Sequence, residues 1–171
     1  AWIDLSTGIN PVPYPLPVLP AEAWTALPDR AAQQALEDAA RRFWNVPDGA
    51  AVLAAPGASS LIARLPALAP AGRVHIPGPT YNEHAAAFAA HGWDISADNP
   101  DATGIVHPNN PTGAWHDRLA PGSSLTVIDE SFADVAPDHS FVAHTARPGV
   151  IVLKSFGKFW GLAGVRLGFA I

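Results

Sequence analysis

Cysteine and methionine are both absent from this chain of 171 residues. Without cysteine there are no disulfides, no thiolate metal sites and no cysteine nucleophile, although the compartment stays open. Without methionine there is no initiator, and the first residue is Ala1, so the chain is expected to be a piece of something longer. Basic charge is scarce as well: 10 Lys+Arg stand against 15 Asp+Glu, a net charge of −5 with no basic run. That argues against a nucleic-acid partner, which needs clustered cations. No apolar stretch approaches the roughly 18 residues of a membrane span. No charged segment followed by an apolar one marks a signal peptide. No metal site is expected.

What is present is a globular composition, 49% hydrophobic and 15% charged. The length lies at the top of the single-domain range, enough to bury a core. Proline is in surplus at 18 residues, about double the usual share of roughly 5%. Four of them fall at Pro11, Pro13, Pro15 and Pro17, where they remove donors and force extended geometry. Residues 1–28 are therefore expected to form a proline-rich arm. With Trp2, Ile3, Leu5 and Ile9 it is either solvated or laid across another surface, and both readings stand.

Residues 29–171 are expected to form one domain. From Pro28 to Val46 the pattern is helical, with Asp29 as N-cap and Ala32, Ala35, Leu36, Ala39 and Phe43 at helical steps. Pro47-Asp48-Gly49 stops it. A short apolar run at 51–55 then meets Pro56-Gly57, and a second helix is expected from Ala58 or Ser59 towards Leu68. The unit repeats as a strand at 73–76, a turn at 77–80 and a helix from Tyr81 to His91. Further strands are expected at 104–107, 125–128, 150–153 and 166–171. Short apolar strands alternating with helices indicate an α/β fold, a three-layer sandwich around a mostly parallel sheet. In such sheets the ligand crevice lies outside the carboxyl ends of the strands.

Four turns at those ends carry candidate chemistry. Pro56-Gly-Ala-Ser-Ser opens a helix, where backbone N–H groups and the hydroxyl of Ser59 or Ser60 make either a phosphate cradle or a simple cap. Pro108-Asn-Asn-Pro-Thr-Gly is a turn former that could also hold an amide over the crevice. Asp129-Glu130 ends a strand, and a partly desolvated carboxylate there seeks a cation or a protonated ring nitrogen, or caps the next loop. The sharpest segment runs from Lys154 to Gly168. Lys158 lies among Phe156, Phe159 and Trp160; an amine in apolar surroundings is more often neutral, and a neutral amine attacks carbonyls. Ser155 and Arg166 on either side could hold a dianionic phosphate.

Taken in order, Asn110-Pro-Thr-Gly, Asp129-Glu, and Ser155-x-x-Lys158 followed by Gly-Leu-Ala-Gly-x-Arg166-x-Gly resemble the large domain of fold-type I pyridoxal-5′-phosphate enzymes, the aspartate aminotransferase superfamily. The resemblance runs from Gly8 to Gly168. It implies pyridoxal 5′-phosphate as cofactor, Lys158 as the Schiff-base lysine that also moves a proton at Cα, and Asp129 as partner of the pyridine nitrogen. It further implies that Asn110 bonds the ring hydroxyl, that Tyr81 stacks on the ring, and that Ala58, Ser59, Ser155 and Arg166 form the phosphate cup. His84 falls where some members place a histidine behind the aspartate, though a core or surface histidine fits there equally. Gly8, Ile9 and Asn10 are candidate substrate contacts.

One departure is informative. Aminotransferases of this group usually carry tyrosine three residues after the aspartate, and here that residue is Phe132. Asp129-Glu-Ser-Phe132, the Lys154–Phe169 segment and the Leu5-Ser-Thr-Gly-Ile-Asn-Pro opening look most like threonine-phosphate decarboxylases of cobalamin biosynthesis. That resemblance implies a cytoplasmic homodimeric lyase converting L-threonine O-3-phosphate to (R)-1-amino-2-propanol O-2-phosphate. A histidinol-phosphate-type aminotransferase and a non-catalytic aminotransferase-like sensor domain are the alternatives. Members of the superfamily run to about twice this length, so a small C-terminal domain with the substrate-carboxylate arginine is expected to lie outside the chain.

Overall fold

Asp29 opens the longest helix as its pattern requires, its carboxylate accepting from the Ala32 N–H at 2.8 Å. The helix, α2 (Arg30–Phe43), follows a single-turn α1 (Glu22–Thr25) that the arm's composition does not announce. Two i,i+4 bonds brace the outer face of α2, Gln33 to Glu37 at 3.1 Å and Gln34 to Asp38 at 2.9 Å. Arg41 and Arg42 complement its carboxyl end. A computed structural model of the chain describes residues 6–171. The readings on Trp2, Ile3 and Leu5 lie outside those residues. The arm from 6 to 20 holds neither helix nor strand, as four alternating prolines dictate.

Seven strands form one sheet: β1 (Leu53–Ala55), β2 (Arg73–His75), β3 (Asp94–Ile95), β4 (Ala102–Val106), β5 (Leu125–Asp129), β6 (Val150–Ser155) and β7 (Gly168–Ala170). Their order across the sheet is β1-β7-β6-β5-β4-β2-β3. The pairs from β3 through β6 are parallel, while β7 runs antiparallel to both β6 and β1. The mostly parallel sheet is as expected, with one reversed strand. The strand expected from Arg166 begins instead at Gly168, because Arg166 adopts a left-handed backbone (φ 52°, ψ 48°) that no strand continues.

Alternation along the strands feeds two cores. Ile105, Ile128 and Val152 pack with Ala40 and Trp44 of α2 and with Phe141 and Val142. On the other face Leu125, Val127 and Leu153 pack with Leu61 and Ile62 of α3 (Ala58–Ile62) and Phe88 of α4 (Glu83–Ala90). The three-layer α/β sandwich follows from this division. The helix expected to reach Leu68 breaks after Ile62 and resumes as a 3-10 turn over Leu65–Leu68, with Pro66 in its first turn. Proline is tolerated there and not within an α-helix. No helix among the described residues is long and apolar enough to cross a membrane.

Candidate active site

The sheet's topology gathers the four chemical turns at one edge. β1, β2, β4, β5 and β6 all end there. Because β7 is reversed, Ser155 and Ala55 both pair with Gly168, which brings the residues just before β7 to the same edge. Between them lies a cavity of about 150 Å³ lined by Ala58, Ser59, Tyr81, Asn110, Asp129, Ser155, Lys158 and Arg166. All the residues expected to hold the cofactor thus surround one space. Ile9, Ser131 and Phe132 share its wall.

Asp129 ends β5 on the α4 side and is buried. His84 and Phe88 lie one helical turn apart on α4 and are both buried, so one helix face delivers packing and a polar ring together. His84 Nε2 stands 2.9 Å from Asp129 Oδ2. Ser131 donates both its N–H (3.0 Å) and its hydroxyl (2.6 Å) to Oδ1. Burial alone pushes the Asp129 carboxyl upward, but the bond and charge of His84, with the two Ser131 donors, outweigh it and hold the group below the usual carboxylate range. The site thus contains a carboxylate that stays ionised. His84 is thus a buried histidine whose ring stands against the Asp129 carboxylate.

The same cavity is also lined by Arg166, two hydroxyls and the start of α3, groups whose chemistry suits an anion. Gly57 (φ +78°) leads into α3, and a Cβ added there would lie 2.7 Å from Arg166 Nη2. A Cβ on Gly168 would meet the Ala58 nitrogen at 2.5 Å. These glycines let the guanidinium, the helix start and β7 approach closely. Ser59 and Ser155 add hydroxyls to the lining. Ser60 does not, since its hydroxyl donates to the Gly57 carbonyl at 2.8 Å. An ionised carboxylate, a phenyl-type ring, an amine and an arginine–hydroxyl cup fit pyridoxal 5′-phosphate in the chemistry of the donors. Tyr81 keeps its proton, burial raising its pKa with help from Glu83 and Asp129.

The paired amides divide their labour. Asn109 accepts from the Thr80 hydroxyl at 2.6 Å and donates to the Pro79 carbonyl at 3.0 Å, tying its turn to the Tyr81 turn. Asn110 is left to face the cavity. His107, at the end of β4, donates from Nε2 to the His139 carbonyl at 2.8 Å and accepts the His116 N–H on Nδ1 at 3.2 Å. Burial lowers its pKa, so the ring stays neutral in the tautomer both bonds need.

A second chamber of about 360 Å³ adjoins the first, lined by Thr7, Gly8, Ile9, Asn10, Pro108, Phe132, Val135, Lys158 and Phe159. Lys158, Ile9 and Phe132 border both. Of the three candidate substrate contacts, Asn10 is already engaged. Its Nδ2 donates to the Phe159 carbonyl at 2.9 Å and its Oδ1 accepts from Val12 N–H at 3.0 Å. Its own N–H donates to the Lys158 carbonyl at 3.0 Å. Gly8 packs against Phe132, with 3.3 Å from a built Cβ to the ring. Ser131 escaped the sequence reading, although serine two residues after aspartate is an ordinary Asx-turn signal.

The Aminotransferase class I and II family matches residues 98–171. A threonine-phosphate decarboxylase of Pseudomonas aeruginosa is 41% identical over 189 residues, covering 99% of this chain and 56% of that protein. One from a Sinorhizobium species is 42% identical over the same shares. The chain thus spans little more than half the length of these relatives. Among solved structures, the histidinol-phosphate aminotransferase of Clostridium acetobutylicum superposes with a TM-score of 0.78 at 20% identity, covering 96% of this chain and 59% of that one.

Proposed function

The chain belongs to the fold-type I pyridoxal-phosphate enzymes, the aspartate aminotransferase superfamily, and from that premise we propose that this protein decarboxylates L-threonine O-3-phosphate to (R)-1-amino-2-propanol O-2-phosphate in cobalamin biosynthesis. One observation carries the reading: Asp129, Lys158, Arg166, Ser59, Ser155, Asn110 and Tyr81 converge on a single cavity. The likeness to two decarboxylases over nearly the whole chain supports the choice of reaction.

When bound, pyridoxal 5′-phosphate supplies an aldehyde for the substrate amine and a ring that draws electrons from the bond broken at Cα. Arg166, with the Ser59 and Ser155 hydroxyls and the start of α3, would hold its phosphate. Asn110 would bond the ring hydroxyl and Tyr81 would cover a ring face. Asp129, kept ionised by His84 and Ser131, would keep the ring nitrogen protonated. Phe132 offers no hydroxyl at the place where the related aminotransferases carry tyrosine.

Lys158 has the remaining role. The chain has two lysines, Lys154 and Lys158. Lys154 is fully buried and paired with Glu130 at 2.7 Å and Asp134 at 3.0 Å, so Lys158 supplies the amine of the site. As the Cα–carboxylate bond breaks, CO2 leaves and the bond's electron pair stays at Cα, where Lys158 as the ammonium would deliver a proton and be left as the neutral amine. The chamber beside Lys158 is the space we assign to the substrate's phosphorylated side chain, with Gly8 and Ile9 on its wall. The exposed apolar residues of the arm, among them Val12, Leu16 and Val18, suit a homodimer that covers them.

Incubation of the cofactor-loaded full-length protein with L-threonine O-3-phosphate should release CO2 in proportion to the amine formed. Transfer of the amino group to 2-oxoglutarate without CO2 would replace this reading with an aminotransferase. Cofactor absorbance with neither reaction would leave a sensor domain.

A further inference from the structure

Glu130, Lys154 and Asp134, whose side chains are almost wholly covered, take no part in the cofactor cavity. Glu130 follows Asp129, and Lys154 follows Leu153, so both side chains point to the opposite face of the sheet. Neither they nor Asp134 line the cavity or its neighbour. Lys154 Nζ lies between Glu130 Oε2 (2.7 Å) and Asp134 Oδ1 (3.0 Å), and 5.7 Å above the Trp44 ring. Glu130 also accepts from the Ser140 hydroxyl and the Phe141 N–H, each at 2.6 Å. Buried ion pairs of this kind are poor stabilisers compared with apolar residues of the same volume. What they do well is fix one arrangement of the groups bonded to them.

Asp134 has two such groups. Trp44 donates its indole N–H to Oδ1 at 3.0 Å, and Trp160 donates to Oδ2 at 2.7 Å. Trp160 lies two residues after Lys158. Its backbone carbonyl is held from the other side by the Tyr14 N–H at 2.8 Å, as the Lys158 carbonyl is held by Asn10 at 3.0 Å. Gly161 (φ +68°) closes the turn so tightly that a Cβ would lie 2.8 Å from the Asn10 carbonyl oxygen. The loop therefore has its backbone tied to the arm at Lys158 and Trp160 and the Trp160 side chain tied to the Asp134 carboxylate.

We propose that the Glu130–Lys154–Asp134 network is a positioning device for the lysine loop, with Asp134 and Trp160 setting where the Lys158 amine lies. The inference rests on the assignment of Lys158 above. The network holds Asp134 rigid, Asp134 holds the indole, and the indole fixes the strand of loop that follows the amine. Trp44 serves as an internal comparison, because it bonds the same carboxylate from the end of α2 and meets the loop through an edge-on ring contact with Phe156 at 6.0 Å, not through a hydrogen bond to Trp160, and phenylalanine at 44 keeps a ring there.

The test uses the full-length protein loaded with pyridoxal 5′-phosphate, comparing Trp160→Phe, Trp44→Phe and Asp134→Asn. Each substitution keeps a ring or an isosteric side chain. In Trp160→Phe the pH midpoint of the bound cofactor's visible absorbance should move by about half a unit or more. Its kcat should fall roughly tenfold with KM little changed. Asp134→Asn should move the midpoint the same way and decides the matter if Trp160→Phe does not fold. Trp44→Phe should lower the melting temperature and leave the midpoint in place. A midpoint unmoved in both Trp160→Phe and Asp134→Asn, or moved equally in Trp44→Phe, overturns the proposal. A parent protein with no such absorbance overturns the assignment of Lys158 instead.

Discussion

The two lysines sit four residues apart and meet opposite surroundings. Lys154 has no exposed surface and two carboxylate partners, whereas Lys158 stands in a glycine-rich turn between two chambers. Strand alternation explains the first and the end of β6 the second. Glycine makes a similar distinction at the phosphate end. Gly57 is needed both for its positive φ and for the space that the Arg166 guanidinium occupies, 2.7 Å from a built Cβ. Gly57→Ala should therefore weaken pyridoxal 5′-phosphate binding by about ten- to a hundredfold, the equivalent of one strained residue. A fluorescence titration with the cofactor checks this, and unchanged affinity would remove Arg166 from the phosphate cup. Lys158, Asp129 and Arg166 were legible as candidates because strand-end turns and glycine spacing mark them locally. The engagement of Asn10 was not, since its partner Phe159 is 149 residues away.

Between elements, the histidine at the end of β4 joins three segments. His107 bonds the 3-10 turn at His139 and the chain at His116, holding the Asn110 turn between them. Its buried ring faces His116 and His139, which disfavour its charge, and Glu130, which favours it; burial dominates and lowers its pKa. An unfolded histidine takes its proton near pH 6.5, so below that the unfolded chain binds more protons than the folded one. Stability should then fall as the pH drops from about 6.5 towards the lowered value, and should not depend on this group above it. Melting temperatures of the parent protein and His107→Gln across that range check the sign; an identical slope in both would show that His107 does not carry it. Elements were legible where apolar periodicity was long. Two-residue β3, exposed at the sheet edge, offers no pattern to read. The reversal of β7 was hidden because alternation does not encode strand direction.

For the molecule as a whole, one edge of one sheet receives every turn that carries chemistry, and the reversed strand adds Arg166 to that edge. Strands alternating with helices imply such an edge from sequence alone, and the resemblance to the superfamily then named which residues at it are proposed to hold the cofactor. The buried network behind the sheet could not be named this way, because Glu130 just after β5, Lys154 in β6 and Asp134 in a 3-10 turn meet only in the folded chain. The central claim is that Lys158 bonds the cofactor. Borohydride reduction of the cofactor-loaded protein, followed by peptide mass spectrometry, tests it most directly. The account predicts a pyridoxyl group on Lys158 and none on Lys154; a label on Lys154, or on neither lysine, would contradict it.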